Sequence, residues 1–210
     1  MDLRFLFIVL TFLSTNLYSQ NEIINKLNDY MIDKEAFDEI IFVSIEKHKM
    51  YHINSDEIYK SYNISSSKFG IGNKNGSNMT PLGLHKIKEK HGNETPINGR
   101  LIGRLFYGQI AEIFTDTTTS KTDDITSRIL WLEGLEEGIN KGKGIDSFKR
   151  YIYIHGTSEE GKIGKPASWL PSASERRLWL ATINCTTPSC AVALSCLPLL
   201  NWLAILKPAL

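Results

Sequence analysis

Three cysteines and five histidines are the side chains of this 210-residue chain that could supply a thiol nucleophile or a neutral base. A thiolate reacts well only beside a base or a positive charge. Cys185, Cys190 and Cys196 lie at least 17 positions beyond Ser168, with no histidine nearby. We therefore interpret them as small apolar residues, and because no Cys-x-x-Cys pair occurs, the sequence predicts no metal site. We interpret four histidines as solvated side chains, those at positions 48, 52, 85 and 91.

The fifth histidine, His155, ends a run of apolar and aromatic residues that begins at Tyr151. Alternating isoleucine and tyrosine side chains are typical of a strand. Gly156 and Thr157 follow, then a loop with glycines at 161 and 164, then Ser168. The sequence therefore predicts a strand that carries His155 at its end and leads into a glycine-rich loop.

Short strands joined by turn-rich segments account for most of the chain before Ser168. Residues 21–34 have the apolar spacing of a short helix, and Gly70–Gly83 is rich in turn residues. Strands are predicted at Glu39–Ile45, Met50–Ile53, Tyr59–Ser67, Leu84–Ile87, Ile110–Phe114, Ile125–Leu132 and Arg150–His155. This pattern predicts a mainly β fold, a sandwich or barrel of mixed sheets with a short N-terminal helix.

The first 19 residues have the composition of a secretory signal peptide. A short charged start is followed by the apolar run Phe5–Leu13 and by small and polar residues up to a cleavage point after Ser19. The apolar run is shorter than the roughly 20 residues that cross a bilayer, so we expect no stable membrane span after cleavage. The net charge of +1, with acids and bases mixed along the chain, predicts no nucleic-acid partner.

The composition changes abruptly after Ser168. Residues 169–210 contain none of the 15 glycines, all three cysteines and a single acidic residue, Glu175. A β domain rarely loses glycine entirely over its last fifth, so we interpret this segment as one of different origin. The sequence thus divides into residues 1–19, a helical lead-in at 20–40, a β domain at 41–168 and an aberrant tail at 169–210.

Residues 41–168 resemble the L,D-transpeptidase catalytic domain family, also called YkuD or ErfK-like, whose members cross-link the bacterial cell wall. Family members carry His-Gly-Thr, a glycine-rich loop and then Ser-His-Gly-Cys. Four stretches carry the resemblance: Ile41–Ile53, Lys68–Ser77 with Thr80–Gly83, Ile125–Gly134 and Tyr151–Ser168. The resemblance implies the family's β-rich fold with its final elements missing, which would leave unpaired strand edges.

The resemblance also implies a chemistry and a site. The family transfers an acyl group from a peptidoglycan tetrapeptide stem through a cysteine thiolate, without a cofactor, in the periplasm or cell envelope. His155 and Ser168 would be remnants of the catalytic motif, and Gly156 and Thr157 would line the site for the stem peptide. The base histidine and the nucleophilic cysteine are absent from the positions after Ser168. The resemblance thus implies an inactive member of the family or, alternatively, a non-catalytic peptidoglycan-binding pseudoenzyme.

The genetic code offers an account of the tail. If codons for His-Gly-Cys-Leu-Arg-Leu-Ala-Asn-Asp-Val followed Ser168 and two nucleotides were lost, the shifted frame would permit Trp-Leu-Pro-Ser-Ala-Ser-Glu-Arg-Arg. That is the sequence of Trp169–Arg177. Tryptophan has a single codon, so the agreement at Trp169 is restrictive. We hypothesise that residues 169–210 are translated out of frame.

Sequencing of the coding DNA tests this hypothesis directly. We expect the alternative frame after codon 168 to encode His-Gly-Cys, followed by a hydrophobic residue and an arginine. An alternative frame that encodes an unrelated peptide at these positions would contradict the frameshift.

Overall fold

The computed structural model describes residues 4–5, 21–30, 32, 39–122, 124–168, 172–173 and 190–195. For residues 167–168, 172–173 and 190–195 it describes the backbone alone. Most of the predicted signal peptide and most of the tail lie outside these ranges. Residues 21–30 form helix α1, as predicted, although the helix described is shorter than the predicted 21–34.

The described part of the chain is mainly β, which confirms the predicted fold class. Its strands are β1 (Glu39–Ser44), β2 (Lys49–Asn54), β3 (Glu57–Ser67), β4 (Gly83–His91), β5 (Gly99–Ile102), β6 (Leu105–Ile110), β7 (Ile125–Gly134), β8 (Tyr153–Thr157), β9 (Pro166–Ser168), β10 (Ser172–Ala173) and β11 (Cys190–Ser195). A single 3₁₀ turn, Glu160–Lys162, follows β8.

The strand pairings close on themselves. β1, β2 and β3 form an antiparallel meander, and β10 joins β3 to β8. β8 pairs with β7, and β7 pairs with β4 on its other edge. β11 then lies between β4 and β1, antiparallel to the first and parallel to the second. A closed ring of strands satisfies backbone groups on both edges of each member.

Two short strands from the tail occupy positions where we expected unpaired edges, so that expectation was wrong at these edges. Ser172 pairs with Ser65 of β3 and with His155 of β8, and Cys190–Ser195 pairs with Glu39–Ser44. The physical reason is that edge pairing needs only backbone N–H and C=O groups, which any segment other than proline supplies. Side-chain identity is a weaker constraint on it.

The hairpin β5–β6 was missed by the sequence analysis, and the predicted strand Ile110–Phe114 was wrong. Residues 111–115 have no regular structure. The chain instead reverses at Gly103 and Arg104, which have φ values of 55° and 71°. All six residues of β6 are exposed, so the strand lacks the alternation of buried and exposed residues that a sequence pattern can reveal.

The main core fills the ring between the meander and β7–β8. Its fully enclosed members include Ile53 of β2 and Leu132 of β7. Helix α1 contributes Leu27, which has no exposed surface and packs into the same cluster. Burying each such side chain stabilises the fold by about 2 kcal/mol. The apolar run Ile40–Val43 of β1 belongs to the same buried cluster.

The long connection between β7 and β8 is fastened to the start of β4 by Asn140. This side chain has no exposed surface. Its amide nitrogen donates to the carbonyl oxygens of Leu82 and Leu84 at 3.2 and 2.8 Å, and its amide oxygen accepts the Glu136 N–H at 3.0 Å. A carboxylate oxygen of Glu136 also accepts the hydroxyl proton of Tyr30 at 2.7 Å, so the connection reaches back to α1.

Asn140→Ala should lower the free energy of unfolding by about 3 kcal/mol, because it leaves buried backbone groups without partners. Urea unfolding followed by tryptophan fluorescence measures this change. Asn93→Ala is the matched control, since the exposed Asn93 amide contacts only the Glu94 carboxylate at 2.9 Å. Equal stabilities of the two variants would contradict the fastening role of Asn140.

Candidate functional site

β8 buries His155 on the face of the strand that also carries Tyr153, opposite the face on which Ile154 joins the main core. All five residues of the strand are buried, and His155 is 2% exposed. Its backbone pairs with Ile129 of β7 on one side and with Ser172 of β10 on the other. The strand prediction for this segment is confirmed. The observed strand ends at Thr157, two residues beyond the predicted end at His155.

The imidazole of His155 is held as a neutral base. Its Nδ1 lies 2.8 Å from the carbonyl oxygen of Gly156, which can only accept, so Nδ1 carries the proton. Burial lowers the pKa of His155 to about 4, although the bond to the carbonyl acts in the opposite direction. Nε2 therefore presents a lone pair, and within the described residues this buried atom has no hydrogen-bond partner.

Gly156 allows β8 to approach β7 closely beside the imidazole. A Cβ atom at this position would lie 2.7 Å from both the carbonyl oxygen and the hydroxyl of Thr126. Real Cβ atoms do not make such contacts, so any larger residue would push the two strands apart. Thr157 is also buried, and its hydroxyl accepts the backbone N–H of Glu159 at 3.1 Å, which starts the turn after the strand.

The glycine-rich loop after β8 is fixed to a neighbouring segment. The Phe114 N–H donates to the Ser158 carbonyl at 2.8 Å, and the Gly161 N–H donates to the Phe114 carbonyl at 2.9 Å. A Cβ at Gly161 would clash with the Asp116 carbonyl, so glycine is required by this packing. The loop then returns to β3, where the Gly164 N–H donates to the Ile64 carbonyl at 3.0 Å.

The backbone of Ser168 lies beside the polar end of β3. Ser67 and Ser168 are register partners in the parallel pair β3–β9. The Ser67 N–H donates to the Thr80 hydroxyl at 2.9 Å, and the Ser67 hydroxyl donates to the Asn78 carbonyl at 2.5 Å. Since Ser65 of the same strand pairs with Ser172, which pairs with His155, the structure brings the segments of His155 and Ser168 together around β10.

The sequence analysis missed a group of buried hydroxyls beside Ser168, which belong to the end of β3 and to the loop after it. Ser65, Ser66, Ser67 and Thr80 are all at most 3% exposed. Three consecutive serines at the end of an otherwise alternating strand are the signal that could have found them. Buried hydroxyls need partners, and here the loop Gly70–Gly83 and the glycine-rich loop provide them.

The cysteines do not complete a nucleophile site within the described residues. Positions 169–171, where the resemblance places His-Gly-Cys, lie outside them, as do Cys185 and Cys196. Cys190 begins β11, which β4 and β7 separate from β8. At about 4.8 Å per strand step, Cys190 is about 14 Å from β8 along the sheet. The described ranges also contain no group of three His, Cys, Asp or Glu residues that could hold a metal.

Two histidines that we interpreted as solvated are buried instead. His85 has no exposed surface, and its ring contacts the Gly83 carbonyl at 2.9 Å and the Ser147 hydroxyl at 2.8 Å. Burial lowers the pKa of His85 to about 4. His52 is 8% exposed and lies 2.6 Å from a Glu39 carboxylate oxygen. The solvated interpretation of both was wrong because their partners come from distant segments.

The comparison with known proteins agrees with this fold. Residues 38–174 match the sequence profile of YkuD, the L,D-transpeptidase catalytic domain, which covers more than half of the chain. The chain therefore belongs to the YkuD family of L,D-transpeptidase catalytic domains. Searches of curated proteins and of solved structures found no match. Among the described residues, no helix is both long enough and apolar enough to cross a membrane.

The buried neutral histidines predict a loss of stability in mild acid. Their pKa values lie near 4 when folded and at about 6.5 when unfolded, so the unfolded chain binds these protons first as pH falls. Stability is therefore complete above pH 6.5 and decreases toward pH 4. Between pH 7.5 and 5.0, each of His85 and His155 lowers the free energy of unfolding by about 2 kcal/mol.

His155→Gln should reduce this acid-dependent loss by about 2 kcal/mol, the share of one buried histidine. Urea unfolding of both proteins at pH 7.5 and 5.0 measures the difference. His91→Gln serves as the control, because the His91 ring is partly exposed beside Glu89. The same pH dependence in His155→Gln and in the unsubstituted protein would show that His155 is not held neutral by burial.

Proposed function

We propose that this chain is an exported member of the peptidoglycan L,D-transpeptidase family in which the cysteine acyl transfer no longer occurs. The observation that carries the proposal is the family match over residues 38–174 combined with the sequence directly after Ser168, where Trp169-Leu170-Pro171 replaces the His-Gly-Cys of the family motif. The substrate class is the peptidoglycan stem peptide. The site lies in the cell envelope, because residues 1–19 have the pattern of a signal peptide.

The retained half of the site supports this function. The unprotonated Nε2 atom of His155 is buried away from solvent. It is suited to accept a hydrogen bond from a bound amide or to orient a second base. Ser65 of β3 and His155 both pair with Ser172 of β10, so these two strands lie on either side of the same short strand. These groups bind and orient a substrate, but none of them is a nucleophile comparable to a thiolate at neutral pH.

The missing step is the formation of a thioester between the protein and the stem. In that step a thiolate sulfur bonds to the carbonyl carbon of the third stem residue, and the bond to the terminal D-residue breaks as its amine takes up a proton. Trp169, Leu170 and Pro171 stand where the base and the thiol would be, and none of them can supply a sulfur. The proposed consequence is a chain that no longer cleaves stems.

The second candidate is therefore a non-catalytic peptidoglycan-binding protein. One observation favours it. β10 pairs with both β3 and β8, so the two strands that would contact a stem are held together in a chain that lacks the catalytic motif. A binder needs shape and hydrogen-bond partners, whereas a transpeptidase also needs one particular reactive atom. The two candidates differ in one respect. An inactive remnant does not bind the stem, whereas a non-catalytic binder still binds peptidoglycan in the cell envelope.

Intact-protein mass spectrometry with a synthetic tetrapeptide stem tests the proposed inactivity. We expect no acyl adduct on the full chain and no release of D-alanine above that of a protein-free control. Prior alkylation of the three cysteines should change nothing. An adduct that alkylation abolishes would overturn the proposal, because it would show that a tail cysteine acts as the nucleophile.

Isothermal titration of the same stem distinguishes the two candidates. Binding without turnover favours the non-catalytic binder, and His155→Gln should weaken it several-fold through loss of the Nε2 acceptor. Absence of any binding favours an inactive remnant.

N-terminal sequencing of the protein recovered from a bacterial envelope fraction tests cleavage after Ser19.

A further inference from the structure

A pocket of about 330 Å³ lies between two loops, and no residue of β8 lines it. One loop follows β3 and contributes Asn75. The other connects β7 to β8 and contributes residues 142–146 and Lys149. Nothing in the family resemblance assigns a role to this pocket.

The shape of the pocket is fixed by its backbone. Gly142 and Gly144 have φ values of 121° and 80°, which side chains other than glycine adopt only with strain. The Asn75 N–H donates to the Gly144 carbonyl at 2.7 Å and joins the two loops. The two glycines and this hydrogen bond between the loops therefore determine the shape of the cavity.

The charge of the pocket is positive. Lys143 and Lys149 line it, against the single carboxylate of Asp146. That carboxylate is already engaged, since it accepts the Lys149 backbone N–H at 3.0 Å and lies 3.6 Å from the Lys149 ammonium group. Within the described ranges Lys143 forms no ion pair, so its charge is available to an anion.

A neighbouring arginine adds to this field and connects the two loops. Arg150 donates through Nη2 to the Met79 carbonyl at 2.9 Å. Its Nη1 is buried and has no hydrogen-bond partner in the described part of the chain. No carboxylate neutralises the guanidinium among these contacts. A cation held in this way raises the affinity of the region for negative charge.

The loop after β3 connects this pocket to the candidate site. Asn75 lines the pocket, and Thr80 accepts the Ser67 N–H opposite Ser168. The five residue steps from Asn75 to Thr80 span at most about 17 Å. An extended four-residue stem spans about 14 Å by the same rule, a length comparable with this upper limit.

We propose that this pocket binds a carboxylate of a peptidoglycan stem peptide and so selects stems with free rather than amidated acids. The inference rests on the proposed function, because it takes the stem as the substrate. The ligand chemistry is a pair of anionic oxygens, which the ammonium group of Lys143 attracts and which can share Lys149 with Asp146. An amide lacks the charge and would gain little from the lysines.

Nitrogen-15 NMR titration of the full chain compares three probes: a tetrapeptide stem, the same stem with its carboxylates amidated, and inorganic phosphate. We expect the acid stem to shift the amides of Gly142 and Gly144 and to bind more tightly than the amidated stem. Lys143→Gln and Lys149→Gln should each weaken binding of the acid stem about threefold and leave the amidated stem unaffected. Lys141→Gln is the matched control, since it removes the same charge from the same loop but pairs with Glu137 outside the pocket.

The outcomes separate the inference from the proposed function. A stem that shifts residues around His155 but not Gly142 or Gly144 overturns the inference and leaves stem binding intact. Equal affinity for the acid and amidated stems overturns it as well. Shifts with phosphate but with neither stem show a general anion pocket, which also overturns it. If no stem binds anywhere, the non-catalytic binder is excluded and the inference fails with it, while the proposed loss of acyl transfer stands.

Discussion

Backbone pairing of β8 on both of its edges is the constraint on which the rest of the site depends. β7 pairs along one side, and β10 pairs with His155 on the other. All of β8 is buried, and this burial lowers the pKa of His155, which keeps the imidazole neutral. The close approach at Gly156 follows from the same packing, since a side chain there would separate β8 from β7.

The elements that could be predicted from sequence are those whose apolar pattern is local. β1, β2 and β7 bury alternating or continuous apolar residues, and each was predicted within a few residues. β5 and β6 were not, because exposed side chains leave no periodic signal and the reversal depends on left-handed backbone at Arg104. The identity of the family could be predicted, because short motifs around the site carry it.

The candidate site was only partly predictable for a related reason. His155, Gly156 and Thr157 are adjacent in sequence, so one motif identifies all of them. The group of buried hydroxyls is assembled from residues far apart, such as Ser67 and Thr80, and burial of a polar group becomes visible only once its distant partner is placed. His85 shows the same limit, since its partner Ser147 comes from the connection before β8.

Fold and chemistry place different demands on the end of this chain. Closing the ring requires backbone donors and acceptors in β10 and β11, and almost any sequence offers those. Acyl transfer requires one sulfur and one base at fixed positions, and no substitute serves. Under the proposed function, a change confined to the residues after Ser168 removes the reaction, while the earlier strands and the cationic pocket between the loops keep their contacts. The proposed contacts with a stem come from segments that precede the catalytic motif, so the proposal allows binding to persist without catalysis.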